Sequence, residues 1–213
     1  MIDLTSGINL SSKEIELEVS QVTPQFIAYK DNKVEYATRF PNMMSTLWSY
    51  IILQQRVPSQ KDFADYYIQV HSFELNGFCQ KSVLARILRG YPSLVREIHF
   101  YCLANESRLF NHVGYSLSQD VRHGVDLDVG LGGIDYNVSC FVCTKRSRAF
   151  RHVKKTKRHA KVKNSIELPL NLSSGTQING WVFFDKPHVD SLFWKIIDYA
   201  WLHYDQHPLD LIV

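Results

Sequence analysis

Hydrophobic positions along this chain change their period twice. Between Pro41 and about Asn105 they recur at helical spacing. Met43 to Gln55 is dense in apolar and aromatic residues, and Ser59 with Asp62 three positions on caps a helix KDFADYYIQVH. Val83, Leu84, Ile87 and Leu88 stripe a helix over 79–89 that Gly90 closes. Pro92-Ser93 opens the next, LVREIHFYCLAN, with Leu94, Ile98 and Tyr101 on one side. Ahead of these helices, IELEVS and FIAYKDNKVEYATRF read as strands, the second turned into a hairpin at Asp31-Asn32. From about His112 the period is two. NHVGYSLSQDV, 125–131 and 134–144 predict strands, with Gly132-Gly133 as a hairpin turn between the last two. SIELPLNL and INGWVFF predict further strands. Val189, Leu192, Phe193, Ile196, Ile197, Ala200, Trp201 and Tyr204 then stripe a closing amphipathic helix.

Two domains follow from this order: 1–91, a β-hairpin and helical region serving recognition or oligomerisation, and 92–213, an α/β core with a hairpin-rich mixed sheet. VGLGGI lies between strands with no helix after it, which excludes a phosphate-cradling loop. The two helices joined through GYPS read as packed core helices, because Arg86, Arg89 and Arg96 are too few for a DNA-reading face. No window is apolar for long enough to span a bilayer, and the first twenty residues lack the pattern of a secretory signal. Four scattered cysteines fit free thiols in a reducing cytoplasm.

Charge changes the picture. The formal net charge is +3, yet ten of the 24 Lys and Arg lie between Lys145 and Lys163, a stretch without Asp or Glu. The 14 bases left face 21 acids, a net of −7, so an acidic body carries one concentrated basic segment. Phe150, Val153 and Ala160 give that segment a thin helical stripe and leave its other sides cationic. Such asymmetry fits a localised anionic partner, while a solvated helix face is the plainer alternative.

Strand periodicity places the chemistry. Asp126 and Asp128 share one side of the hairpin's first arm. On the second arm Asp135, Asn137, Ser139, Phe141, Cys143 and Lys145 share a side, and the even positions form the more apolar core face. Clefted carboxylates at this spacing need a cation, and hard oxygen donors favour Mg²⁺ or Mn²⁺; the alternative is that both aspartates are exposed hairpin residues. Cys140 and Cys143 have CxxC spacing but point to opposite faces of a strand, which favours packing over zinc. Trp48, Tyr66, Tyr67, Trp181, Phe183, Phe184, Phe193 and Trp201 lie at core-type spacing.

The helix-then-hairpin order, GVD at 124–126, and a strand ending CFVCTK before a basic helix resemble the PD-(D/E)XK nuclease superfamily over roughly residues 93–184. The resemblance implies a restriction-endonuclease-like core and a Mg²⁺- or Mn²⁺-dependent endonuclease acting on DNA. Asp126 matches the first acid, Lys145 the lysine and Glu97 the first-helix glutamate. The basic helix over 146–163 would bring Arg148, Arg151, Lys155 and Arg158 to the substrate, with Arg146 and Lys154 beside them. Cys143 stands where the second acid belongs, and a neutral thiol is a poor ligand for a hard cation. Asp128 or Asp135 would then substitute as metal ligands, with GID at 133–135 an alternative first acid. The other outcome is an inactive nuclease-like module that binds nucleic acid as an accessory subunit of a larger nucleoprotein complex. By the same resemblance a homodimer is expected.

Overall fold

The computed structural model describes residues 10–116, 119–120, 123–142 and 162–204. Cys143, Lys145 and the cations Arg146, Arg148, Arg151, Lys154, Lys155 and Arg158 lie outside the described residues. The chain divides into a helical unit, 7–98 with 177–181, and a sheet unit that holds 99–176 and the chain from 182 onward.

The expected N-terminal hairpin is absent. IELEVS belongs to helix α1 (Ser12–Val19). The deciding signal is Ser11-x-x-Glu14: the Ser11 hydroxyl accepts from Glu14 N at 3.1 Å, and the Glu14 carboxylate takes the Ser11 N–H at 2.7 Å. The Ser11 N–H and hydroxyl, both donating to it, hold the Glu14 carboxyl below its ordinary pKa. An N-cap contributes about 1 kcal/mol, enough to decide between helix and strand where Ile15 and Val19 satisfy either period. Both are buried, and Leu17 is left exposed.

Asp31 is likewise a cap, accepting from Lys33 N at 2.9 Å to start the single-turn helix α2 (Asn32–Glu35). Side chains of helix α5 (Gln80–Glu106) replace the strand partner this segment was expected to have. Ser82 Oγ donates to Asp31 at 3.0 Å, the Arg86 guanidinium donates to Val34 O, and Arg89 reaches Ile27 O at 3.1 Å, Tyr29 O and the Glu35 carboxylate. Residues 27–35 therefore form a strap tied across one face of α5. Helices α3 (Met43–Gln54) and α4 (Gln60–Val70) form as predicted, capped by Asn42 and Ser59. Leu47, Trp48, Ile51, Phe63 and Tyr67 are among their buried residues, each contributing about 1.5–3 kcal/mol of apolar transfer.

Where two helices joined through GYPS were expected, α5 runs unbroken for 27 residues with Pro92 inside it. A proline there has no N–H for the carbonyl four residues back, which is Leu88 O. Gln60 supplies the missing donor, its Nε2 lying 2.7 Å from Leu88 O. Its amide also pairs with the backbone of Gln25, accepting from N at 2.7 Å and donating to O at 2.9 Å. A compensation held 28 residues away in sequence keeps the helix whole.

In the sheet unit, β1 (His112–Gly114), β2 (Leu127–Leu131), β3 (Ile134–Val142) and β4 (Ser165–Leu170) form a mixed sheet in that order. The first three are antiparallel, and β4 runs parallel to β3. Gly132 and Gly133 turn β2 into β3 with φ of 59° and 76°, the paired positive values of a type I′ turn. β1 is much shorter than the strand expected from NHVGYSLSQDV, since Gln119 and Asp120 are already helical. The even face is the core face, as expected. Val113, Leu127, Val129, Leu131, Tyr136, Val138, Ile166, Leu168 and Leu170 are buried on one side, where helix α6 (Lys186–Tyr204) packs on β4. Tyr199 of α6 meets Tyr136 edge-on at 6.0 Å. Of the predicted α6 stripe, Trp201 and Tyr204 are corrections: they are 61% and 41% exposed, and the buried stripe ends at Ala200.

INGWVFF, expected as one strand, is a second hairpin of β5 (Thr176–Ile178) and β6 (Trp181–Phe183). Asn179-Gly180 between them takes φ of 44° and 82°, again the type I′ pattern that this dipeptide favours. Together these elements make an α/β protein with a mixed four-strand sheet flanked by helices. Among the described residues no helix is long and apolar enough to cross a membrane.

Candidate functional site

Cross-strand register sorts the predicted acids into rows on the open face of the sheet. His112, Gly130 and Asp135 form one row, and Gly114, Asp128 and Asn137 the next. Asp126 stands one residue ahead of β2, at the opposite end of the hairpin from Gly132-Gly133.

Three bonds staple the chain ahead of β2 onto β3. Asp126 N donates to Val138 O at 2.8 Å, Cys140 N donates to Asp126 Oδ2 at 2.5 Å, and Ser139 Oγ donates to Gly124 O at 2.6 Å. Asp126 thus serves the fold as an acceptor for a strand N–H. Its carboxylate is also held beside β3, the strand that leads on toward Cys143 and Lys145.

Glu97 is half-buried on α5 beside Arg96, whose guanidinium pKa is lowered first by burial and partly restored by Glu97. It belongs to the helical unit, and Asp126, Asp128 and Asp135 belong to the sheet unit. Among the described residues no three acids, histidines or cysteines gather closely enough to hold a metal ion. Asp126 is the one predicted acid at the β2 mouth, where Glu167 of β4 stands opposite Ser139 in the register.

His112 lies flat across Gly130 to reach Asp135, with 3.7 Å between Nε2 and Oδ1. Both side chains are well exposed, at 48% and 71%, so the pair itself contributes little. Gly130 is what permits the crossing, since a Cβ at this position would stand 2.2 Å from His112 Nδ1. Gly130→Ala must push that exposed ring aside, which should cost no more than about 1 kcal/mol. Adding His112→Ala should recover most of the loss, which a double-mutant cycle by chemical denaturation reads directly.

Burial raises the Asp128 carboxyl above its ordinary pKa; His112 opposes the rise and Asp135 adds to it. An acid raised on folding favours the folded state less once it ionises. The penalty is absent below the unfolded pKa and appears as pH climbs through the folded one. Asp128→Asn should therefore melt higher than the wild type at neutral pH. The two melting temperatures should converge as pH falls to about 3.8, the ordinary value for Asp.

One constellation has no signal in the spacing of the sequence. Ser174 Oγ lies 3.2 Å from His188 Nε2, beside Asp185 at the start of α6. The hydrogen bonds show its purpose. Asp185 N–H donates to His188 Nδ1 at 3.0 Å, the arrangement of the tautomer with its proton on Nε2. That proton goes to Asn171 O at 2.8 Å, and Ser174 Oγ also donates to Asn171 O, at 2.9 Å. A base for serine needs a free lone pair on Nε2. Here the imidazole braces the loop before α6. Thr176 Oγ1 and the Lys186 N–H hold the Asp185 carboxyl below its ordinary pKa.

No protein-family model, curated protein or solved structure matches this chain. The fold class rests on the mixed sheet and its helices alone.

Proposed function

We propose that this chain is a divalent-metal-dependent endonuclease with a restriction-endonuclease-like core, acting on DNA at the open end of the β2–β3 hairpin. The observation that carries the reading is the place of Asp126. It is an acid held against β3 just ahead of β2, and β3 continues toward a stretch of ten cations without an acid. The order α5, β1, β2–β3 hairpin, β4 supports it. Asp126, helped by Asp128, would hold Mg²⁺ or Mn²⁺, which would polarise a phosphodiester and activate a water. Lys145 would stabilise charge developing on the phosphoryl oxygens. Arg148, Arg151, Lys155 and Arg158 would neutralise backbone phosphates.

A second reading, an inactive nucleic-acid-binding accessory subunit, is favoured by two observations. Cys143 stands in the place of the second acid, and the Asp126 carboxylate already serves Cys140 N–H. One assay separates the two. Supercoiled plasmid is incubated with the protein and Mg²⁺ or Mn²⁺, beside Asp126→Asn, Lys145→Ala and an EDTA control. Nicking by the wild type that all three abolish establishes the nuclease. Nicking that survives in Asp126→Asn rejects the site, and salt-sensitive binding without nicking favours the accessory subunit.

A further inference from the structure

We propose that the strap with its flanking residues, 26–39 in the helical unit, is a binding surface for single-stranded nucleic acid, with aromatic rings stacking on unpaired bases. Its two acids turn inward: Asp31 caps α2 and accepts from Ser82, and Glu35 pairs with Arg89. What remains outside is cationic and aromatic. Phe26 and Tyr36 are 67% and 72% exposed, and Tyr29 is 43% exposed with the Lys81 ammonium 5.2 Å from its ring centroid. Lys30, Lys33 and Arg39 are exposed, and among the described residues none of the three is ion-paired. The inner cations Arg86 and Arg89 are consumed in holding the strap, Arg86 also lying 3.9 Å over the Phe40 ring. The strap thus sorts its charges by side, so that its outer face has no acid of its own to cancel Lys30, Lys33 and Arg39, with Lys81 of α5 beside Tyr29.

The chemistry selects the partner. Rings alternating with single cations match a chain in which each unit offers one π-face and one phosphate. A duplex has its bases stacked already and would leave the rings without a role. An anionic membrane would call for a contiguous apolar face, whereas Gln25, Asn32 and Thr38 interrupt this one. The surface lies in the helical unit and does not rest on the nuclease reading, which concerns the sheet unit.

The test removes the bases while keeping the charge. Affinities of the full-length protein for a labelled oligothymidylate and for an abasic oligomer of equal length are compared by anisotropy in EDTA, so that cleavage plays no part. The wild type should bind the thymidylate more tightly, and Phe26→Ala/Tyr36→Ala should erase that preference, at about tenfold for each ring removed. Both rings are exposed, so the variant should melt with the wild type, which thermal denaturation checks. Lys30→Gln/Lys33→Gln should weaken binding to both oligomers and reduce the salt dependence by roughly 1.4 in slope. Equal wild-type affinity for the two oligomers overturns the proposal. So does a preference that survives Phe26→Ala/Tyr36→Ala, or binding confined to phosphatidylserine vesicles.

Discussion

Gln60→Leu lowers the stability of the chain by about 2 kcal/mol, the cost of leaving a buried acceptor unmet. The acceptor is Leu88 O, which Pro92 cannot serve and which Gln60 Nε2 meets at 2.7 Å. Leucine is no smaller than glutamine, so no cavity opens and the loss reports chiefly the hydrogen bonds. For a chain of this length the melting temperature should fall by roughly 4–8 °C. A second substitution makes the cause unambiguous. Pro92→Ala restores an amide N–H that α5 itself can direct to Leu88 O. In the Gln60→Leu background it should recover the share of the loss that belongs to Leu88 O, the two bonds to Gln25 staying lost, and in the wild type it should gain much less. Additive effects of the two changes would show that Gln60 and Pro92 are not coupled through that carbonyl.

Asp126→Asn is expected to lower plasmid nicking by at least about a thousandfold, as removal of a charged group from a phosphoryl-transfer site does. Its carboxamide keeps an oxygen for Cys140 N–H, so the fold should be untouched. Asp126→Ala removes that oxygen as well. It should add a stability loss of about 1–2 kcal/mol from an unpaired strand N–H. The pair of variants separates two duties of one side chain, since a purely structural Asp126 would leave Asp126→Asn active in any assay where the wild type is.

Local signals made much of the sheet unit readable. Gly132-Gly133, the period-two runs around it and the α6 stripe depend on neighbours within a few residues, and the structure follows them. Ser11-x-x-Glu14 and Asn179-Gly180 were equally local and outweighed the alternation in IELEVS and INGWVFF. Other features depend on partners far apart in sequence. Nothing near Pro92 announces that α5 continues, because the compensating donor comes from α4. The strap took its partners from Ser82, Arg86 and Arg89, none of them a strand residue. At the candidate site, alternation placed Asp128 on the polar side of the hairpin, but the strand expected over 125–131 begins only at Leu127, which leaves Asp126 ahead of it. That His112 crosses Gly130 to Asp135 needed the register of β1, which only the assembled sheet supplies.

The parallel partnership of β3 and β4 sets an order of assembly. β2 and β3 meet across two glycines, and such a hairpin closes in about 1–10 μs. β4 begins at Ser165, more than twenty positions beyond Val142, so its ladder must await a far longer closure. Until then the edge of β3 that β4 will cover, from Asn137 to Val142, stands open with its amides unpaired. A nascent chain paused between these strands would present a ready template for another copy, making this edge the place where aggregation begins.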